Sequence, residues 1–112
     1  MRRRKKKPDA LQGTLDLLVL KTLSLGAQHG YGIAAHIQAI SDDGLRVEEG
    51  SLYPALHRME QAGWIKAEWR VTVNQRRARI YRLTRTGRQR LDEEAAKWDQ
   101  LTKAVGKVLR FA

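Results

Sequence analysis

The hydrophobic residues of this chain recur mainly at helical spacing, and this spacing predicts four helices. The second helix carries Ile33, Ile37 and Ile40 at positions i, i+4 and i+7, and the third carries a narrow stripe that includes Leu52 and Leu56. The first helix is apolar around most of its circumference, which indicates burial on more than one side. The first, second and fourth helices are predicted at about residues 10–25, 31–40 and 85–109, and the third is predicted to begin between residues 49 and 51 and to end at residue 62.

Two runs of β-prone residues, 64–73 and 78–83, flank the polar segment 74–77 and predict a hairpin. A further short strand is predicted at residues 45–47. Thr84 is suited to cap the last helix. The order of elements is helix, helix, short strand, helix, hairpin and long helix. It predicts a mainly α fold with a small β-hairpin, of the α+β class, arranged as a winged helix-turn-helix.

The last helix carries a heptad seam that runs from Leu91 to Leu109. Together with the leucines of the first helix, this seam predicts that a long C-terminal helix joins two copies of the chain. We expect three segments: a basic disordered arm at 1–9, a winged helix-turn-helix domain at 10–83 and a dimerisation helix at 84–112. The predicted homodimer interface comprises Leu11, Leu15, Leu18, Leu91, Ala95, Trp98, Leu101, Thr102, Val105 and Leu109.

Charge is distributed unevenly along the 112 residues, which carry 22 Lys and Arg against 12 Asp and Glu, a net charge of +10. Residues 2–7 are all basic, whereas residues 8–65 hold three basic and seven acidic side chains. Residues 66–90, which include the predicted hairpin, hold nine basic side chains and one acidic one. Solvated surface charge explains the total but not this partition, which is typical of a phosphate-binding face. Whether the arm at 2–7 binds DNA or only aids solubility stays open.

On the third helix, the positions opposite the apolar stripe form a predicted DNA-binding face. A helix fits the major groove of B-DNA, which is about 12 Å wide. Arg58 is suited to pairing with guanine, and Gln61 or His57 to other base edges or phosphates. Ser51 and Tyr53 suit phosphate oxygens near the start of the helix. The predicted face comprises Gly50, Ser51, Tyr53, Pro54, His57, Arg58 and Gln61.

The hairpin adds a cluster of arginines around its predicted tip, where guanidinium groups would reach the flanking backbone or a minor groove. Its predicted DNA contacts are Asn74, Gln75, Arg76, Arg77 and Arg79. Two other classes of function remain alternatives: a winged-helix module that binds proteins, and a polyanion binder without sequence preference for DNA or RNA. The arginine cluster argues against a pure protein-interaction module, which has no need of it.

Chemistry of other kinds has little support in the sequence. The chain has no cysteine, and His29, His36 and His57 match no zinc motif, so neither a metal site nor a cofactor is expected. His29 is interpreted as local to its turn. Neither a nucleophile motif nor a Gly-rich phosphate loop is present, so we do not expect an enzyme. The longest apolar stretch, residues 15–25, is too short and too charged to span a membrane, and a cytoplasmic location is expected.

Three segments of the chain carry a resemblance to a known family. They read LQGTLDLLVLKTLSLGAQHGYGIAAHIQ, EEGSLYPALHRMEQAGWI and ARIYRLTRTGRQRL and together span Leu11 to Leu91. The chain resembles the short PadR-type transcriptional regulators, such as those often encoded beside transporter permeases. The resemblance implies a homodimeric winged helix-turn-helix protein, usually a repressor, that acts on a two-fold operator in duplex DNA. It also implies that Tyr31 and Gly32 lie near phosphate and that the third helix and the wing contact the operator.

Trp98 lies on the predicted dimer seam. Some members of the family use a tryptophan at the matching place to stack a flat ligand between subunits, so the resemblance makes Trp98 a candidate contact for an aromatic small-molecule effector. Ordinary packing of the ring against the partner's first helix is the simpler interpretation. The operator sequence, the regulated genes and the effector cannot be predicted from the sequence.

Overall fold

The four predicted helices and the hairpin are present in the computed structural model, which describes residues 9–110, with side chains from residue 13 onward. In chain order the elements are α1 (Asp9–Ser24), β1 (Gln28–His29), α2 (Gly30–Ile40), α3 (Glu49–Gln61), β2 (Ile65–Val71), β3 (Arg77–Leu83) and α4 (Arg85–Arg110). Nearly all of the predicted basic arm and the side chain of Leu11 lie outside the described residues.

The third strand of the sheet is not where the sequence predicted it. The strand predicted at residues 45–47 is wrong, since this segment has no regular structure and leads into α3. The two residues of β1 instead pair antiparallel with β3, Gln28 with Tyr81 and His29 with Ile80, in the order β1-β3-β2. Val47 packs against the core from its loop. The free edge of β3 is therefore covered by the connection between α1 and α2 rather than by that loop.

A single apolar core joins all four helices to the base of the hairpin. α1 contributes Val19, Leu20 and Leu23, α2 contributes Ile33 and Ile37, and the hairpin contributes Ile65 and Tyr81. The buried residues of α3 are Leu52, Ala55, Leu56 and Met59, which confirms its narrow inward stripe. Because this stripe covers only one side of the helix, the opposite side of α3 faces outward.

Leu91 lies in the chain's own core and not on the predicted dimer seam. It is only 8% exposed within one chain, where the first turns of α4 pack against α1. Its placement in the interface is therefore corrected, because the heptad spacing continues through a part of α4 that already has a partner in the same chain. Beyond this point the side chains of α4 are mostly exposed.

The hairpin has seven cross-strand pairs, from Ile65 with Leu83 at its base to Val71 with Arg77 at its far end. Residues 72–76 connect the strands, and the Thr72 N–H donates to the Arg76 carbonyl over 2.8 Å. The base is buried, whereas Val71 and the residues beyond it are exposed. The hairpin therefore projects from the body of the fold as a wing.

The start of α4 is tied to the chain that follows α3. The Gly87 N–H donates to Thr84 Oγ1 over 3.0 Å, which confirms the predicted cap, and the Thr84 N–H donates to the Trp64 carbonyl over 3.0 Å. The guanidinium of Arg90 lies 4.7 Å from the centre of the Trp64 ring. A Cβ atom at Gly87 would overlap the Trp64 carbonyl oxygen. The close approach of α4 therefore requires glycine at this position.

Replacing Gly87 by alanine should destabilise the fold by roughly 1–3 kcal/mol, because the added methyl group forces the α4 backbone away from Trp64. Gly50→Ala is a matched control, since a Cβ there meets nothing within 4 Å and alanine favours the helix by up to about 1 kcal/mol. Urea unfolding measures both. Equal free energies of unfolding for the two variants would contradict the close approach.

Candidate nucleic-acid interface

The outward surface of α3 brings together most of the side chains predicted for DNA binding. These residues project on the side away from the apolar stripe and are exposed: Gly50, Ser51, Tyr53, Pro54, His57 and Gln61. None of them is an arginine or a lysine. Their chemistry is that of hydrogen-bond donors and acceptors and close backbone approach rather than of positive charge.

Arg58 is only partly exposed at the edge of this surface, where it lines one recess together with Gly50, Ser51 and Pro54. Its Nη1 and Nη2 donate to the two carboxylate oxygens of Asp16 in α1, over 2.8 and 3.0 Å. Asp16 is 8% exposed, and this hydrogen bonding raises the pKa of Arg58 above its ordinary value. The prediction that Arg58 pairs with guanine is therefore corrected: its position on the flank of α3 next to Ala55 turns it toward α1, where a buried carboxylate requires a cation.

The opposite flank of α3 is tied to the hairpin. The Arg79 Nη2 donates to Glu60 Oε2 over 2.8 Å, and both side chains are half-buried. The prediction that Arg79 belongs to the hairpin tip is wrong, because it lies in the middle of β3 opposite Trp69. The two hydrogen bonds from Arg58 to Asp16 on one flank and the ion pair of Arg79 with Glu60 on the other hold α3 between α1 and the wing.

The far end of the wing keeps the rest of the predicted basic cluster. Asn74, Gln75, Arg76 and Arg77 are all exposed there. The guanidinium of Arg77 lies 4.6 Å from the centre of the Trp69 ring, and Arg79 lies 5.6 Å from it. These are cation–π distances. The sequence predicted the arginines but not their contact with Trp69. The alternation of Trp69 and Val71 with polar residues, which puts both on one face of the strand, was the available signal.

At the start of α2, Tyr31 is exposed but Gly32 is not free to bind phosphate through its backbone. The Gly32 N–H donates to Nδ1 of His29 over 3.0 Å, so His29 caps α2, as its interpretation as local to the turn suggested. A Cβ atom at Gly30 would stand 2.8 Å from the ring of Tyr53. The tyrosine of α3 therefore packs directly on the α2 backbone.

A cavity of about 480 Å³ lies between α3 and the hairpin, beside the exposed surface of α3. It is lined by Tyr53, His57, Glu60, Gln61, Arg79 and Tyr81. Burial raises the pKa of the Tyr81 hydroxyl above its ordinary value. The surface of α3 and the sheet thus form a polar recess on the side where the wing projects.

A second feature is an apolar stripe on α4 that the described residues 9–110 leave uncovered. Trp98 is 45% exposed, Leu101 49% and Val105 44%, and Leu109 is more exposed still. Ala95, Thr102 and Val108 are also exposed, and Val108 was not identified from the sequence. Leu15 and Leu18 are half-buried and line a cavity of about 530 Å³ between α1, α3 and the loop before α3.

Comparison with known proteins places this geometry in a family. The model of the family described as "Transcriptional regulator PadR-like family" matches residues 19–93. The chain belongs to the PadR-like family of transcriptional regulators. The description of this family names transcriptional regulation as its role. Its relatives are transcriptional regulators, which are not enzymes.

Individual relatives agree with this family. The chain is 43% identical to transcriptional regulator Rv3488 of Mycobacterium tuberculosis over 68 residues, which span 61% of this chain and 63%, less than two thirds, of that protein. A PadR family transcriptional regulator from Eggerthella lenta is 33% identical, with a TM-score of 0.75 over 92% of this chain and 88% of that one. A transcriptional regulator from Clostridium thermocellum is 28% identical, with a TM-score of 0.80 over 89% of this chain and 97% of that one.

Among residues 9–110 no group of three or more His, Cys, Asp or Glu side chains could hold a metal ion. No helix in the same range is both long and apolar enough to cross a membrane.

Replacing Arg58 by methionine should destabilise this PadR-like regulator, because it leaves the Asp16 carboxylate buried without a cation. A fully buried pair loses about 3–5 kcal/mol on such a change. The Arg58 side chain is 39% exposed, so a smaller loss of about 2 kcal/mol is expected. Arg70→Met, which breaks an exposed ion pair with Glu68, is the control and should cost at most about 1 kcal/mol.

Urea unfolding gives both free energies. The double variant Asp16→Leu, Arg58→Met should regain much of the loss, since it removes the buried charge together with its partner. Equal losses in Arg58→Met and Arg70→Met, with no recovery in the double variant, would contradict the structural role of the pair.

Proposed function

We propose that this regulator is a homodimeric repressor that recognises a two-fold operator in duplex DNA. In each subunit α3 enters a major groove and the wing contacts the flanking backbone. The observation that carries the proposal is the exposed surface of α3, which is fixed on both flanks by ion pairs and lies beside a projecting cationic hairpin.

The shape and chemistry of α3 support base reading. A helix with its side chains is about 10–12 Å across, which matches the width of the major groove. Gln61 and His57 are on the outermost line of the helix and are suited to base edges, with Gln61 able to pair with adenine through two hydrogen bonds. Ser51 and Tyr53, near the first turn, are suited to phosphate oxygens. Because Arg58 is bound to Asp16, we assign it a structural role and no base.

In this proposal the wing provides most of the electrostatic attraction to the DNA phosphates. Arg76 and Arg77 are exposed at its far end, and each phosphate that such a residue neutralises adds about 0.9 to the slope of log affinity against log salt. Base contacts from α3 would then provide specificity, while the wing would provide affinity that depends strongly on salt.

A homodimer is supported by the apolar stripe of α4. The large side chains Trp98, Leu101 and Val105 are each about half exposed, and a second copy is the simplest cover for a stripe at heptad spacing. A two-fold dimer would present two α3 helices to half-sites separated by one helical turn or a multiple. An aromatic effector is the alternative occupant of the surface at Trp98. Quenching of tryptophan fluorescence by a planar aromatic compound, with loss of operator affinity, would support it.

Repression follows if the dimer occupies DNA that the transcription machinery needs. The two other functions considered for the fold, a protein-interaction module and a polyanion binder without sequence preference, predict different binding behaviour. Selection of duplexes from a random pool separates all three.

One prediction of this proposal concerns the sequence specificity of DNA binding. Selection should enrich a sequence with two-fold symmetry, and Gln61→Ala should lose about 1–3 kcal/mol of discrimination at one base pair of each half-site. The control Gln100→Ala changes the same residue type on the exposed side of α4 away from the seam, and it should leave the preference unchanged.

The recovered sequences decide between the alternatives. Unrelated sequences bound with a steep salt dependence would support a general polyanion binder instead. Failure to retain any duplex at low salt would favour the protein-interaction module. An unchanged preference in Gln61→Ala would remove the assignment of that residue.

Another prediction of this proposal concerns the dimer interface on α4. Val105→Asp places a charge in the apolar stripe and should convert the protein to a monomer in sedimentation, with a loss of roughly a hundredfold in affinity for the full operator but little for a single half-site. Ala96→Asp adds the same charge on the opposite side of α4 and should remain dimeric. A wild-type protein that sediments as a monomer at micromolar concentration would contradict the proposed dimer.

A further inference from the structure

Four side chains of the wing share one face of the hairpin. Trp69 is paired with Arg79 and Val71 with Arg77, and paired residues of an antiparallel hairpin point to the same side. Nearer the base, the same face carries Ile65 and Tyr81 into the core.

The far part of this face therefore looks toward the side on which α3 packs. Arg79 confirms the orientation, because it reaches Glu60 of α3 from there.

The Trp69 ring lies between two arginines that differ in exposure. Arg79 is half-buried and held by Glu60, and its Nε is buried without a hydrogen-bond acceptor. Arg77 is exposed and stacks over the ring at 4.6 Å. Trp69 itself is 54% exposed, so its burial contributes less to the fold than that of a core tryptophan.

A series of side-chain contacts therefore runs from α3 to the end of the wing, through Glu60, Arg79, Trp69 and Arg77. Ion pairing fixes the first step and cation–π contacts fix the other two.

We propose that Trp69 is a positioning residue for DNA binding, which holds the Arg77 guanidinium at a fixed place relative to α3 so that it meets a phosphate beside the major groove. The inference rests on the proposed function. A long arginine side chain loses rotamer freedom when it binds phosphate, and a side chain already stacked on a ring has lost part of that freedom beforehand. Trp69 thus acts through Arg77 and needs no DNA contact of its own.

A double-mutant cycle on the selected duplex tests this dependence. Trp69→Ala and Arg77→Ala should each lower the affinity roughly threefold to tenfold, and the double variant should be no weaker than Arg77→Ala alone. Trp69→Phe should restore most of the affinity, since phenylalanine keeps an aromatic face. Val71→Ala removes the exposed apolar neighbour on the same face and should have little effect.

Two further readouts separate positioning from general stability. The salt slope should fall in Trp69→Ala toward that of Arg77→Ala, whereas the melting temperature should change little. In the free wild-type protein, nuclear magnetic resonance should show an upfield ring-current shift of the Arg77 δ protons that is absent in Trp69→Ala.

The outcomes distinguish this inference from the proposed function. Additive losses in the cycle, or the absence of the ring-current shift, would overturn the role of Trp69 while wild-type binding to the operator leaves the proposed function in place. Wild-type protein that binds no duplex would overturn both.

Discussion

The arrangement of the DNA-binding half of the molecule depends on one buried carboxylate. Asp16 faces the core side of α1, and burying a charge without a partner costs several kcal/mol in proteins. Arg58 supplies the partner through two hydrogen bonds, and so it holds α3 in one rotation about its own axis. The ion pair between Glu60 and Arg79 holds the other flank. Packing of the apolar stripe alone would tolerate a small roll of the helix, whereas these two contacts oppose it from both sides.

Fixing α3 in this way divides the chemistry of the surface. Arg58 and Arg79 are ion-paired within the protein, so the predicted DNA-binding face of α3 exposes neutral hydrogen-bonding side chains such as Ser51, His57 and Gln61. Exposed guanidinium groups remain at the end of the wing, in Arg76 and Arg77. Under the proposed function, sequence discrimination and salt-dependent affinity therefore come from different elements. The geometric link between α3 and the wing is the series of side-chain contacts that passes through Trp69.

Features encoded within a short stretch of sequence were predictable, and features that join distant stretches were not. Hydrophobic spacing gave the helices to within about two residues, and Thr84 was recognisable as a cap because its partner is three residues away. The pair of Asp16 and Arg58 joins positions 42 residues apart, and no spacing rule reveals it. The two-residue strand β1 has no alternation to detect. Leu91 satisfies a heptad pattern equally well whether its partner is in the same chain or in another.

The two environments of α4 have a consequence for how a dimer would control the DNA-binding surface. Its first turns are locked to the end of α3, because Thr84 and Gly87 contact Trp64 directly. Its later turns present the apolar stripe that we assign to the partner subunit. One continuous helix therefore joins the proposed interface to the junction that follows α3. A rotation of one α4 against its partner would be carried through this rigid junction and would change the separation of the two α3 helices. In such a dimer the half-site spacing is a property of the α4 pairing rather than of the DNA-binding surface itself.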